Sequence, residues 1–237
     1  MTATIVLVPG AWSGAWMWAP LEKDLEARGL AYRSVDHPSV GPDALGKDVH
    51  DDARNVRGIA EAIDGPVILV GNSYGGAVIS GASPGVANVK RLVYLAAMMP
   101  NPDEAILDHI AGATAPEFDA GITVDDGGLL KMDIDVEVRV ALQQSSPEMH
   151  DLVRAHAGEP MSFGTDPTAA KFDDVGWKTI PSTYVVCTED HSILPDAQRR
   201  WANERATEVI EWPSDHCPQL SHPDLVAELL EKLARAI

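Results

Sequence analysis

The chain has 237 residues, of which 45% are hydrophobic, enough for one large domain with a substantial core. Its 36 acidic residues outnumber 18 basic ones, for a formal net charge of −18. That balance excludes nucleic acid and anionic membrane as expected partners, because both are held by a basic footprint.

Taken in order, Thr4–Val8 reads as a short β-branched strand closed by Pro9-Gly10. Ala11–Ala15 is a loop, and Trp18, Leu21 and Leu25 then fall at helical spacing up to Gly29. Ala31–Val35 is a second strand, and His37–Pro42 a loop. Val49, Ala53, Val56, Ala60 and Ile63 form one apolar stripe of a helix stopped by Gly65-Pro66. Val67–Val70 is an uninterrupted apolar strand, and Gly76–Ile79 a buried helix. Val89–Ala96 is the fourth strand. Beyond it the strand–helix alternation fails until about Trp177, with a predicted hairpin around Asp125–Gly128 and helical pieces at Val136–Gln144 and Pro147–Ala157. Thr183–Cys187, a helix at Asp196–Asn203, a strand at Glu208–Glu211 and a final helix opened by Pro223 complete the chain.

This alternation predicts an α/β fold: a doubly wound, mainly parallel six-stranded sheet with helices on both faces. Residues 1–100 and 178–237 form the expected core, and 101–177 an inserted cap. No apolar run approaches a membrane span. Met1 leads almost directly into an apolar strand without a basic leader, so no signal peptide is expected. Cys187 and Cys217 are read as reduced thiols of a cytoplasmic protein rather than as a bridge.

Gly71-Asn72-Ser73-Tyr74-Gly75, between a buried strand and a helix, has the form of a nucleophile elbow. A serine needs a base, and His216 lies in the loop between the last strand and the last helix, where the order Ser…Asp…His puts it; His222 is the rival. Glu189 and Asp190 follow the fifth strand, and Asp190 is the preferred orienting acid with Glu189 as alternative. Asp215 is read as a loop-holding residue. The oxyanion donors should be the backbone N–H groups of Tyr74 and, in the loop after the first strand, Ala11. Trp12, Met98, Met99 and Trp177 are the expected lining of a pocket between strand ends and cap. No zinc-type spacing and no glycine-rich nucleotide loop is present, so neither metal nor cofactor is expected.

With those residues placed, the chain resembles the α/β-hydrolase superfamily over essentially its full length. Within it the sequence is similar to bacterial relatives of the plant methylesterase and hydroxynitrile lyase group, through Val6–Trp16, through Cys187–Asp190 with Leu194-Pro195, and through Asp215-His216. The resemblance implies Ser73 as nucleophile, His216 as base and Asp190 as acid; the spacing back from Pro195 favours Asp190 over Glu189. Pro9 departs from the histidine usual before Gly10 in that family. Gly10 and Cys217 stand where lyases of the group carry threonine or asparagine and a lysine, which points to the esterase side. The expected activity is hydrolysis of a small, mostly apolar carboxylic ester, lactone or thioester through an acyl-enzyme. The alternatives are a hydroxynitrile lyase-like or cofactor-free oxygenase activity, or a slow-turnover receptor for a small ligand. A small-molecule substrate is the one expected partner; a homodimer is allowed but not indicated.

Overall fold

The central strand, β3 (Val67–Asn72), is buried at every position, because helices cover both faces of the sheet to which it belongs. A computed structural model describes residues 2–156, 158–165 and 170–237. Its main sheet joins β1 (Thr4–Val8), β2 (Tyr32–Ser34), β3, β4 (Val89–Leu95), β7 (Ser182–Cys187) and β8 (Glu208–Trp212) in the order β2-β1-β3-β4-β7-β8, every pairing parallel. The doubly wound six-stranded architecture expected from the alternation is the one observed.

Alternate strand residues feed two cores, as the two-residue side-chain period requires. Ile5, Leu7, Ile68, Val70, Val93 and Leu95 pack with Leu21 and Leu25 of α1 (Ala19–Ala27) and with Leu230 of α10 (Pro223–Ala236). Val6, Val8, Leu69 and Tyr94 pack on the opposite face with Val56 of α2 (Val49–Glu61), Val78 of α3 (Gly75–Ala82) and Trp201 of α8 (Pro195–Arg205). Helix α2 is started by Asp48, whose carboxylate accepts from the His50 and Asp51 N–H groups in a capping box.

After β1 the chain runs outward to β2 and then returns to β3 on the other side of β1. The winding direction therefore reverses between β1 and β3, and ligands of such sheets collect beyond the carboxyl ends of the strands at this point. Val8 pairs with Gly71, which brings Pro9-Gly10 level with Asn72-Ser73.

Between β4 and β7 no described residue joins the main sheet. The predicted hairpin is present as β5 (Ile122–Val124) and β6 (Leu130–Met132). Helix α6 (Ile134–Ala141) starts two residues before its expected position because Asp133 caps it, accepting from the Asp135 and Val136 N–H groups. Helix α7 is Pro147–His156; Ala157, included in the expected piece, lies outside the described residues. Two five-residue helices, α4 (Ile106–Ile110) and α5 (Pro116–Ala120), have no counterpart in the sequence reading, being too short to show a period. The same is true of α9 (Pro218–Ser221). No helix among the described residues is long and apolar enough to cross a membrane.

Candidate active site

Ser73 occupies the left-handed backbone region, with φ of +54°. A conformation of that kind costs a non-glycine residue about 1–3 kcal/mol and persists only where its surroundings enforce it. Here the Ser73 N–H donates to the Leu95 carbonyl at 3.2 Å, and the Ser73 carbonyl accepts from Met98 N–H at 2.9 Å and Gly76 N–H at 3.0 Å. The flanking glycines follow from space. A Cβ on Gly71 would lie 2.5 Å from the Gly75 carbonyl group, and one on Gly75 would collide with the Val8 and Pro9 carbonyl oxygens.

Tyr74, one of the two expected oxyanion residues, directly precedes α3. Gly10 approaches so closely that a Cβ there would be 3.2 Å from that of Ser73, so the Ala11 loop runs beside the serine. Neither the Ala11 nor the Tyr74 N–H has a hydrogen-bond partner among the described residues. Tyr74 and the chain leading into Ala11 are each held from behind. The Tyr74 hydroxyl donates to Asp52 Oδ2 at 2.7 Å, a fully buried carboxylate that also accepts from the Ser39 N–H and hydroxyl. Buried His37 bonds the Pro9 carbonyl through Nε2 at 2.9 Å, which requires the proton on that nitrogen. Burial, with the Asp52 charge and its hydrogen bond, pushes the Tyr74 phenol well up, so it stays a neutral donor.

His216 lies in the loop between β8 and α9, and its Nδ1 is 2.6 Å from Asp190 Oδ2. Asp190, 1% exposed, accepts three more bonds: from Gln198 Nε2 at 2.7 Å, Ser192 N–H at 2.7 Å and Ile193 N–H at 3.0 Å. Those donors hold the carboxylate against the imidazole. Glu189, the alternative acid, makes no such contact; its carbonyl accepts from the Gln143 side chain. Burial works against protonation of His216, but Asp190, Asp215 and Glu137 together outweigh it and hold its pKa above the ordinary histidine range. His222, the rival base, bonds the neighbouring Ser221 hydroxyl. Asp215 holds the loop, accepting from the Ser221 hydroxyl, Cys217 N–H and Gln144 N–H.

Asn72, just before the serine, bridges the two halves of the site. Its amide donates to the Leu95 and His216 carbonyls, both at 3.0 Å, and its oxygen accepts from Gln219 at 3.0 Å. Nothing in the sequence marks Asn72 or Gln198 for these roles, since their partners lie far away along the chain. Cys187 and Cys217 are both free and buried, and burial pushes each thiol well up.

Ser73 sits where two cavities meet. The larger offers about 120 Å³ to a water-sized molecule and is walled by Trp12, Met98, Ile110, Phe118, Leu130 and Phe163, with Ser73, Ala11 and Tyr74 at its floor. The smaller offers about 30 Å³ and is lined by Ser73, Ala11, Asn72, His216, Cys217 and Glu137. Trp12 joins the loop after β1 to the segment between β4 and β7: its Nε1–H donates to the Leu130 carbonyl at 3.0 Å, and its ring meets Phe118 edge-on. Two expected lining residues lie away from this wall. Met99 turns into the core behind Met98, where its N–H donates to His109 Nε2 and its carbonyl accepts from Arg205. Trp177 is tied by its Nε1–H to the Pro100 carbonyl at 2.9 Å and packs on the core away from the wall. Most of the wall instead comes from the segment between β4 and β7, whose apolar residues carry no period that would have singled them out.

Comparison with known proteins adds to this geometry. The model of the alpha/beta hydrolase family matches residues 5–229. Methylesterase 2 of Arabidopsis thaliana is 27% identical over 97% of this chain and 95% of its own. A carbendazim hydrolyzing esterase of Nocardioides sp. is 36% identical over a shorter stretch, 50% of this chain and 51% of that protein. The crystal structure of polyneuridine aldehyde esterase superposes with a TM-score of 0.85, covering 99% of this chain and all of that one at 23% identity, a likeness of fold.

Proposed function

The chain belongs to the alpha/beta hydrolase family, and from that premise we propose that it is a serine hydrolase cleaving a small, mostly apolar carboxylic ester through an acyl-enzyme. The observation that carries this reading is the His216–Asp190 bond of 2.6 Å, with His216 and Ser73 lining one cavity. Ser73 attacks the ester carbonyl while His216 Nε2 takes its proton. Asp190 keeps the other imidazole proton on Nδ1 and stabilises the imidazolium. The oxyanion is received by the Ala11 and Tyr74 N–H groups, whose fixed positions avoid reorganisation as charge develops.

The two cavities divide the substrate. The leaving oxygen must take its proton from His216, so the alcohol oxygen of the ester faces the small cavity that His216 lines. The acyl part then lies in the larger apolar cavity under the inserted cap. Methylesterase 2 and the carbendazim hydrolyzing esterase among the relatives support ester cleavage. Position 217 holds a thiol kept neutral by burial and directed at Asn72 Oδ1, so it supplies no positive charge for a cyanide leaving group.

Turnover of p-nitrophenyl acetate by the wild type and by Ser73→Ala tests the reading. The variant is expected to fall to the uncatalysed background; hydrolysis at the wild-type rate by a folded Ser73→Ala protein removes the proposal.

A further inference from the structure

The small cavity contains a carboxyl group that the steps described above do not use. Glu137, on α6, lines it together with Ser73 and His216, and is partly buried. The other polar residues of that wall are already engaged. Asn72 is bonded on both sides of its amide, the Ser13 hydroxyl donates to the Ala11 carbonyl, and the Cys217 thiol is directed at Asn72. Three side-chain groups of this wall have no hydrogen bond to another described residue: the Ser73 hydroxyl, His216 Nε2 and the Glu137 carboxyl.

A small cavity with three unengaged polar groups suits water. One water molecule needs roughly 10–15 Å³ of such space and two to four polar partners, and about 30 Å³ is open here. Deacylation needs a water in this position, because the attacking oxygen must reach the acyl carbon on Ser73 while His216 takes its proton. The departing alcohol clears the same space one step earlier.

We propose that Glu137 positions the hydrolytic water for the second half of the reaction. This rests on the acyl-enzyme reading above. One water O–H points at His216 Nε2 and the other at the Glu137 carboxylate, which leaves a lone pair directed at the acyl carbon. The first O–H breaks as its proton passes to Nε2, and the new C–O bond forms at the acyl carbon. The tetrahedral adduct then collapses, the bond from carbon to Ser73 Oγ breaks, and His216 returns the proton to Oγ. Glu137 accepts a hydrogen bond throughout and takes no proton. With no protein donor beside it, burial pushes its carboxyl up to about 7, while His216 draws it down. The other titratable groups around it are the neutral Cys217 thiol and Glu159, which shares the space on the far side of Glu137 beside Trp12 and Trp16.

Rapid-mixing kinetics with p-nitrophenyl acetate separates the two half-reactions. At a pH above the acid limb of His216, the first-turnover release of p-nitrophenol by Glu137→Gln should keep the wild-type rate, which also certifies the fold, while steady-state turnover falls about 10- to 100-fold, the range for a misplaced reactant. The burst should approach one equivalent per enzyme, with acetyl-Ser73 visible by intact mass. Glu137→Asp, which keeps a carboxylate, should recover part of the loss. The deacylation rate of the wild type should rise with pH as both Glu137 and His216 lose their protons, and that of Glu137→Gln as His216 alone does. Equal loss in both half-reactions, or unchanged steady-state turnover in Glu137→Gln, overturns the role of Glu137. Absence of acetyl-enzyme in every variant, with turnover that survives Ser73→Ala, overturns the acyl-enzyme reading instead, and this proposal with it.

Discussion

Replacing Asp190 by asparagine exchanges one acceptor oxygen for a donor while keeping the shape. Four donors converge on the native carboxylate: the Ser192 and Ile193 N–H groups on Oδ1, and Gln198 Nε2 and His216 Nδ1 on Oδ2. An asparagine oxygen can satisfy only one pair. The two backbone N–H groups cannot rotate, so the oxygen settles on their side and the new NH₂ faces His216. The imidazole then presents its Nδ1 lone pair to that NH₂ and carries its proton on Nε2, where it cannot accept from Ser73. Gln198 keeps its bond to the Ile193 carbonyl at 2.7 Å, so its loss is partial. Stability should fall by about 1–3 kcal/mol, the cost of a buried donor left without its acceptor. Activity should fall far more. A wrong tautomer removes general-base catalysis, and a drop of about 10³–10⁴ in kcat/KM corresponds to roughly 4–5.5 kcal/mol of transition-state stabilisation. Steady-state hydrolysis of p-nitrophenyl acetate measures the second quantity and urea unfolding the first, with Glu189→Gln as a control expected to behave as wild type. A folded Asp190→Asn protein with kcat/KM within tenfold of wild type would refute the assignment.

Two further outcomes follow from the geometry. Because Asp190 and its neighbours raise the His216 pKa against the opposing effect of burial, the acid limb of kcat/KM should have its midpoint above the unperturbed value of about 6.5; a midpoint at or below that value counts against the imidazole as base. The linked stability runs the other way: the charged His216–Asp190 pair contributes fully below the unfolded-state pKa, and that contribution is lost as pH rises through the folded-state pKa. Gly75→Ala should cost about 1–3 kcal/mol through overpacking and should sharply lower esterase activity, because its Cβ displaces the Val8 and Pro9 carbonyls that lead into the Ala11 loop. Wild-type melting and turnover in Gly75→Ala would show that the elbow tolerates what the backbone spacing forbids.

The strands, the elbow and the histidine loop were legible in the sequence because each is specified locally. Val67–Val70 must be buried on both sides, and Gly71 and Gly75 must lack a Cβ for a strand to turn into a helix around Ser73. Both requirements leave a mark within a few neighbouring residues. The sequence favoured Asp190 over Glu189 only through a resemblance in spacing, and the turn that aims the Ser192 and Ile193 N–H groups at Asp190 gives the physical reason. The same holds for Met98 at the wall against Met99 in the core, for Trp177 drawn away to the Pro100 carbonyl, and for Asn72 fastening the elbow to His216. Glu137 reads in the sequence as an ordinary helix-surface acid. The docking of α6 over the strand ends puts its carboxyl beside Ser73, because what a side chain meets depends on segments remote along the chain, and a local pattern carries no record of them.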